Sequence, residues 1–282
     1  MNILITGSKG FIGKNIFNKL SKCFIVYGIF FKKRINKNYF LNEINIDISK
    51  IESLDKIQRY FIKKDIKIDI IIHTAFKVFD KKNDIQDLIL NNLISYNVAT
   101  LALKLSCKKI INFSSMSVYP YNNGNFDEKS KTLPQKNDDF FYGLSKLNSE
   151  MIFKNKLKKS KCKLINLRIS QVYGQGMNKK RTIPIMLNEL KNTNKITVYG
   201  NGVRTTNFIE INELIKIIKF FLNSNHYGVF NIGKENISLL KLANNLINQY
   251  GKVSSKIIKI RDGKKEKFKL DTKKIEKLIR IK

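Results

Sequence analysis

Short apolar runs of strand length alternate along the first part of the chain with longer stretches whose apolar positions recur every three to four residues. The short runs predict strands over 2–6, 24–31, 69–73, 109–114 and 163–168. The longer stretches predict helices over 11–20, 52–62, 86–106 and 140–157. Strands that are apolar almost throughout, separated by helices, imply a parallel sheet covered on both faces. The fold class expected is therefore α/β, a doubly wound parallel sheet of the Rossmann type. After residue 168 the rhythm shortens, with helices predicted over 183–190, 211–222 and 239–250 and strands over 196–199 and 229–232. The tail, 264–282, is basic but still periodic, and predicts a short strand and a closing helix. The division expected is a Rossmann domain over 1–168 with a return segment near 204–228, and a small C-terminal α/β lobe over 169–203 and 229–282. The sequence shows no internal repeat and no low-complexity linker.

Composition narrows the picture. With 43% hydrophobic residues in 282 the chain has enough apolar material for a sizeable core, which excludes wholesale disorder. Lys and Arg number 54 against 22 Asp and Glu, a formal net charge of +32. The lysines are spread over every segment and gather into no stripe, as AT-rich coding leaves them at unconstrained surface positions. The field is read as a funnel for anionic ligands, and no specific nucleic-acid partner is expected. Cys23, Cys107 and Cys162 are scattered, and His73 and His226 add no metal-ligand spacing, so neither a metal site nor a disulfide framework is expected. No apolar run reaches the length of a membrane span, and the N-terminus lacks the pattern of a signal peptide. A cytoplasmic protein without a membrane partner is the expectation.

The first candidate chemistry is Thr6-Gly7-Ser8-Lys9-Gly10-Phe11-Ile12-Gly13, placed where the first strand turns into the first helix. Gly7 permits the tight turn, Gly10 lets the backbone approach a pyrophosphate, and Gly13 lets the helix pack against the sheet. The helix N-terminus then offers N–H donors to the phosphates. An NAD site of this kind places a carboxylate at the end of the second strand to hold the adenosine ribose. Here that strand ends Gly28-Ile29-Phe30-Phe31-Lys32-Lys33-Arg34, with no carboxylate and three cations. Lys9, Lys32, Lys33 and Arg34 suit a ribose 2′-phosphate, so NADP(H) is favoured, with NAD(H) the alternative.

The second is Tyr142 and Lys146, four apart on a predicted helix and so on one face. Tyr60 and Lys64 share that spacing, and position separates the two pairs. Tyr142 follows the fourth predicted strand, which runs into Ser114-Ser115-Met116-Ser117-Val118-Tyr119, the edge where an open α/β sheet builds its site. A neighbouring ammonium stabilises a phenolate, and a serine hydroxyl can hold the same carbonyl or alcohol oxygen.

With these motifs the chain resembles an extended short-chain dehydrogenase/reductase of the NAD-dependent epimerase/dehydratase family, which acts on nucleotide sugars. The resemblance runs nearly end to end. Asp47-Ile48 resembles the pair that contacts adenine, and His73-Thr74-Ala75 the segment near the cofactor phosphates. Asn92 matches the helix asparagine of an Asn-x-x-Gly-Thr pattern whose Gly-Thr is Ser95-Tyr96 here. Tyr142-Gly143-Leu144-Ser145-Lys146 matches the active-site segment. Leu167-Arg168, Val172-Tyr173-Gly174, Gly200-Asn201-Gly202, Asn207-Phe208-Ile209 and Val229-Phe230-Asn231-Ile232-Gly233 follow in order. The resemblance implies Ser115, Tyr142 and Lys146 as catalytic residues. It implies Gly7, Lys9, Gly10, Phe11, Ile12, Gly13, Asp47, Ile48, Ala75, Asn92, Tyr142 and Lys146 at the cofactor, and a homodimer built from the helices near 86–106 and 140–157.

Departures from the family pattern carry information. The 4,6-dehydratases follow the catalytic Ser/Thr with Asp-Glu, where this chain has Met116-Ser117, so the acid and base for water elimination are missing. Ser117-Val118-Tyr119-Pro120 is nearer the reductase pattern of fucose-nucleotide synthases, without their epimerising Cys/His pair. Arg-Asp-Phe reads Thr206-Asn207-Phe208, with Arg204 as the substitute phosphate ligand. Gln171 stands for the usual Asn, and Gln175 for the usual Pro. Ser117, Gln171 and Arg204 are the residues expected to meet substrate. The function expected is an NADPH-dependent reductase of a 4-keto, 6-deoxy nucleotide sugar in glycan precursor synthesis, with an NAD-dependent 4-epimerase as the alternative. A non-catalytic NADP sensor that binds nucleic acid is the reading from another class, and the intact Ser115, Tyr142 and Lys146 argue against it.

Overall fold

The computed structural model describes residues 1–32, 42–79 and 84–280. The first half runs β1 (Asn2–Thr6), α1 (Phe11–Leu20), β2 (Ile25–Phe30), β3 (Glu43–Asn45), α2 (Glu52–Lys63), β4 (Ile70–His73), α3 (Asp84–Lys104) and β5 (Lys109–Ser115). It continues with β6 (Gly124–Phe126), α4 (Phe140–Leu157), β7 (Lys163–Ile169), β8 (Gln171–Tyr173), α5 (Thr182–Thr193) and β9 (Lys195–Val198). Then come β10 (Thr205–Glu210), α6 (Ile211–Asn223), β11 (Gly228–Ile232), β12 (Glu235–Ser238), α7 (Leu239–Tyr250), β13 (Lys256–Lys259), β14 (Phe268–Leu270) and α8 (Lys273–Arg280).

Seven strands form one sheet in the order β11-β7-β5-β4-β1-β2-β3, and the pairings from β3 across to β5 are parallel. The chain winds outward from β1 through β2 to β3, then returns to lay β4 on the other side of β1. The order thus reverses at β1/β4, the place where such sheets open a crevice at their C-terminal edge. β4 and β5 are buried along their whole length, as strands covered on both faces must be. On one face Leu4, Ile71 and Ile110 pack with Leu54, Ile57 and Phe61 of α2 and Val98, Ala99 and Leu101 of α3. Each such side chain contributes roughly 1.5–3 kcal/mol by leaving water. The doubly wound α/β fold expected from the sequence is the fold observed.

The chain divides into two compact units. The first comprises Met1–Pro120, Thr132–Arg168 and Ile215–Phe230, and the second Tyr121–Lys131, Ile169–Leu214 and Asn231–Lys282. The segment that returns to the first unit is 215–230, within reach of the approximate 204–228 expected, and 121–131 belongs to the second unit. In the second unit β8 pairs parallel and β12 antiparallel with β10, while β9 pairs with β13 and β6 with β14. Its core gathers Ile196, Val198, Phe208, Ile237, Leu242 and Leu246. Two asparagines, Asn231 buried and Asn236 exposed, knit the short strands. Asn231 Nδ2 donates to the carbonyls of Phe126 and Asp271, and Asn236 bonds both the N–H and the carbonyl of Leu270. Among the described residues no helix is long and apolar enough to cross a membrane, and no three His, Cys, Asp or Glu side chains cluster as metal ligands would.

Candidate active site

The glycine loop lies at the β1/β4 reversal. Gly7 has φ +75°, and a Cβ there would sit 2.7 Å from the Ala75 nitrogen, so only glycine fits. Its N–H and that of Ser8 both donate to the Ile29 carbonyl, at 2.7 and 3.1 Å, which ties the loop to β2. A Cβ on Gly13 would collide with the Gly7 carbonyl and come within 2.7 Å of Thr74 Oγ1, so α1 lies directly on the loop. Gly10 is exposed, caps α1 without a side-chain bond, and is followed by half-buried Phe11 and Ile12. The first-turn N–H groups of α1 are thus presented at an open, side-chain-free end, as a phosphate requires. Behind the loop Thr74 Oγ1 donates to the Thr6 carbonyl at 2.7 Å. Buried His73 Nδ1 lies 2.8 Å from Thr6 Oγ1, and burial draws its pKa down to about 3, so the imidazole is neutral. The glycine cradle and the uncapped helix fit a dinucleotide pyrophosphate.

β2 ends without a carboxylate, as the sequence shows, but Glu43 of β3 brings one against the glycine loop. Its carboxylate accepts from Lys9 Nζ at 2.5 Å and from Ser8 Oγ at 3.1 Å, and its side chain is 1% exposed. Lys9, counted among the cations for a 2′-phosphate, is thus ion-paired. Lys32 is exposed, and its main chain is held at both ends by the Asn45 side chain. Lys33 and Arg34 lie outside the described residues. Asp47 Oδ1 accepts from the N–H and hydroxyl of Ser49, an Asx turn that presents the 47–49 segment, and Ile48 is buried in the core.

At the end of β5, Ser115 is buried and its Oγ accepts from the Ser117 N–H at 3.1 Å, opening a single 3₁₀ turn at Met116–Val118. α4 approaches this turn so closely that a Cβ on Gly143 would strike the Ser117 carbonyl. The glycine between Tyr142 and Leu144 therefore lets the helix bring Tyr142 beside the strand end. Lys146, one turn further on, donates to the Phe113 carbonyl at 2.9 Å. Its ammonium lies 4.1 Å from the centroid of the Phe76 ring and 5.8 Å from that of Tyr142. Burial draws the Lys146 pKa down to about 7. Phe76 also meets Tyr142 edge-on, with centroids 5.3 Å apart. So Tyr142 and Lys146 share one face, and Phe76, which the sequence reading passed over, covers both.

Further partners came from elements that pattern alone does not bring together. Asp139, at the start of α4, accepts from Ser117 Oγ at 3.1 Å, and Asn137 Nδ2 donates to the Ser117 and Tyr119 carbonyls, each at 2.8 Å. Ser117 is thus held by Asp139 rather than presented as a free hydroxyl donor. Asn92 accepts from Asn148 of α4 at 3.4 Å, a contact between helices. Its buried neighbour Asn91 bonds both the N–H and the carbonyl of Lys77, fixing the segment after β4 that carries Ala75 and Phe76. In the second unit Gln171 donates to Thr206 Oγ1 at 3.3 Å. Arg204 stacks its guanidinium 4.7 Å from the centroid of the Tyr121 ring, and its Nε is buried without a partner.

The sequence profile of the NAD dependent epimerase/dehydratase family matches residues 3–233. The chain belongs to that family. It is therefore an NAD(P)-dependent enzyme of the oxidoreductase/epimerase kind, as the motifs implied. It is 31% identical to a dTDP-4-dehydro-6-deoxyglucose reductase of Escherichia coli over 255 residues, 85% of this chain and 79% of that protein. It is 29% identical to a dTDP-D-glucose 4,6-dehydratase of Dictyostelium discoideum over 268 residues, and spans only 61% of that protein's length. Among solved structures, the UDP-glucose 4-epimerase of Thermotoga maritima with UDP-glucose aligns at a TM-score of 0.81. That alignment has 20% identity and covers 98% of this chain and 92% of the other. A dTDP-glucose 4,6-dehydratase of Bacillus anthracis in complex with NAD aligns at 0.78, with 21% identity, 99% and 90% covered. These structural likenesses establish the fold.

Proposed function

We propose that this family member reduces the 4-keto group of a nucleotide sugar, of the 6-deoxy class, in glycan precursor synthesis. The observation that carries the reading is the turn after Ser115. Met116 and Ser117 stand where elimination chemistry needs two carboxylates, and the carboxylate nearby, Asp139, is engaged by Ser117. The E. coli relative, a reductase by name, supports the same direction.

Gly7, Gly10, Gly13 and the first turn of α1 would hold the dinucleotide, with Asp47, Ile48, Ala75 and Asn92 around it. Bound there in reduced form, it supplies a hydride to the keto carbon. Ser115 orients and polarises the keto oxygen, and Tyr142 donates the proton that completes the alcohol. Lys146 would hold the nicotinamide ribose and, in its cationic form, favour the tyrosinate left behind. Its low pKa, about 7, makes that role sensitive to what surrounds the ammonium. Gln171 and Arg204 are assigned to the substrate. The orphaned Nε and stacked guanidinium of Arg204 suit a diphosphate.

A homodimer through α3 and α4 belongs to the same proposal. Ile85, Ile89 and Leu93 repeat every four residues along α3 and are 63%, 54% and 46% exposed, with Met151 of α4 at 61%. Such a stripe is costly to leave in water, and the molar mass in solution tests it. A cytoplasmic location belongs to the same proposal, and three free cysteines with no disulfide between them support it. The test of the catalytic assignment is Tyr142→Phe. It should leave cofactor affinity within about twofold while lowering turnover about 10²-fold or more, and unchanged turnover would remove Tyr142 from the mechanism.

A further inference from the structure

Glu43 stands against the glycine loop. It enters from β3 and crosses β2 at Gly28, where a Cβ would sit 2.6 Å from Ser8 Oγ and 3.2 Å from Glu43 Cγ. It ends on two consecutive residues of the glycine loop, accepting from Ser8 at 3.1 Å and Lys9 at 2.5 Å. The Glu43 side chain is 1% exposed and that of Lys9 22%. A buried carboxylate left without its cation is strongly destabilising, so Lys9 stays on Glu43.

We propose that Glu43 is a specificity-determining residue that makes this loop select a dinucleotide lacking a 2′-phosphate, NAD(H), over one that carries it. It acts by consuming the positive charge of Lys9, the cation of the glycine loop itself, so that a 2′-phosphate would meet a neutral ion pair in place of a free ammonium. Lys32 remains on the rim, and the pull of its exposed ammonium is screened. This runs against the preference that Phe30 and the cations after it suggest. The proposal rests on the glycine loop being the dinucleotide site, and is independent of the direction of the sugar reaction.

Two fragments isolate the effect, 5′-ADP and 2′,5′-ADP, which differ only in the 2′-phosphate. Calorimetric titration of the full chain should show 5′-ADP binding at least as tightly as 2′,5′-ADP. Glu43→Gln, which frees Lys9 for a charge-assisted contact, should move the ratio about tenfold or more toward 2′,5′-ADP. Adding Lys9→Met to that variant should take the gain back. Wild-type protein that prefers 2′,5′-ADP tenfold overturns the proposal, and so does a ratio that Glu43→Gln leaves unmoved. If Glu43→Gln does not fold, the wild-type ratio alone decides. Binding of neither fragment would overturn the loop as a dinucleotide site, whereas binding of both with an unmoved ratio would overturn only the role of Glu43.

Discussion

Glu150 of α4 and Arg168 of β7 form a buried ion pair beneath the end of β5. Arg168 Nη2 donates to Glu150 Oε2 at 2.9 Å and Nε to Oε1 at 3.0 Å, while Ser114 Oγ donates to Oε1 at 2.5 Å. Arg168 Nη1 also donates to the Tyr119 hydroxyl at 2.9 Å. Burial acts against the Arg168 charge, but the bond and charge of Glu150 outweigh it and hold the guanidinium ionised. Glu150→Ala would leave that cation buried beside Tyr119 without its carboxylate, at a cost of about 3–5 kcal/mol. That is a large share of the roughly 5–15 kcal/mol by which domains are stable. At about 2–4 °C per kcal/mol for a domain of this size, Tm should fall by on the order of 10 °C. Replacing both partners, Glu150→Leu with Arg168→Met, removes the stranded charge and should recover most of the loss. Urea and thermal unfolding of the cofactor-free proteins measure both variants. A single variant that costs under about 1 kcal/mol, or a double variant no better than the single, would refute the argument that a stranded buried charge dominates.

Phe76→Ala should let water reach Lys146 and raise its pKa from about 7 toward the ordinary 10.5. The upper limb of the pH profile of kcat/KM for the cofactor should then move upward, with Phe76→Leu in between, and an unmoved limb would exclude Phe76 as a positioning residue. His73 and Tyr142 also face that ammonium, and His73 stays neutral throughout the range. The sign for stability follows from the same group. Between pH 7 and 10.5 the unfolded chain carries a proton that folded Lys146 has released, so wild-type stability rises with pH across that window, and Phe76→Ala should flatten the rise. Gly143→Ala puts a methyl against the Ser117 carbonyl and within 2.9 Å of Pro134 Cβ. It should cost about 1–3 kcal/mol and reduce turnover by moving α4 away from Ser115; denaturant unfolding that matches wild type would contradict that packing.

Much of this was legible in the sequence because it is local. The first strand, the glycine turn and helix α1 follow from a continuous apolar run, three glycines and an i, i+3, i+4 pattern within twenty residues of each other. Tyr142 and Lys146 share a face by helical geometry alone. The rest depends on contacts that span the chain. Glu43 and Lys9 are 34 residues apart and joined through β3, a strand of three residues too short for any periodicity to reveal. Strand β10 was not predicted because polar Thr206 and Asn207 interrupt its apolar run, and they are buried there beside the Gln171 and Asn236 side chains. Asp139 stands at the N-cap of α4 without a side-chain cap bond, and its carboxylate accepts from Ser117, 22 residues away, a pairing that no local pattern marks.

The central claim, net reduction of a 4-keto sugar, is tested by stoichiometry. The full chain is given a 4-keto-6-deoxy nucleotide sugar, dTDP-4-dehydro-6-deoxyglucose first, with NADH or NADPH, and loss of reduced nicotinamide is followed against sugar consumed. The account predicts one reduced cofactor oxidised for each sugar converted to an alcohol, and no such loss in Tyr142→Phe. Sugars interconverted at C4 with no net oxidation of either cofactor would contradict it and make the enzyme an epimerase.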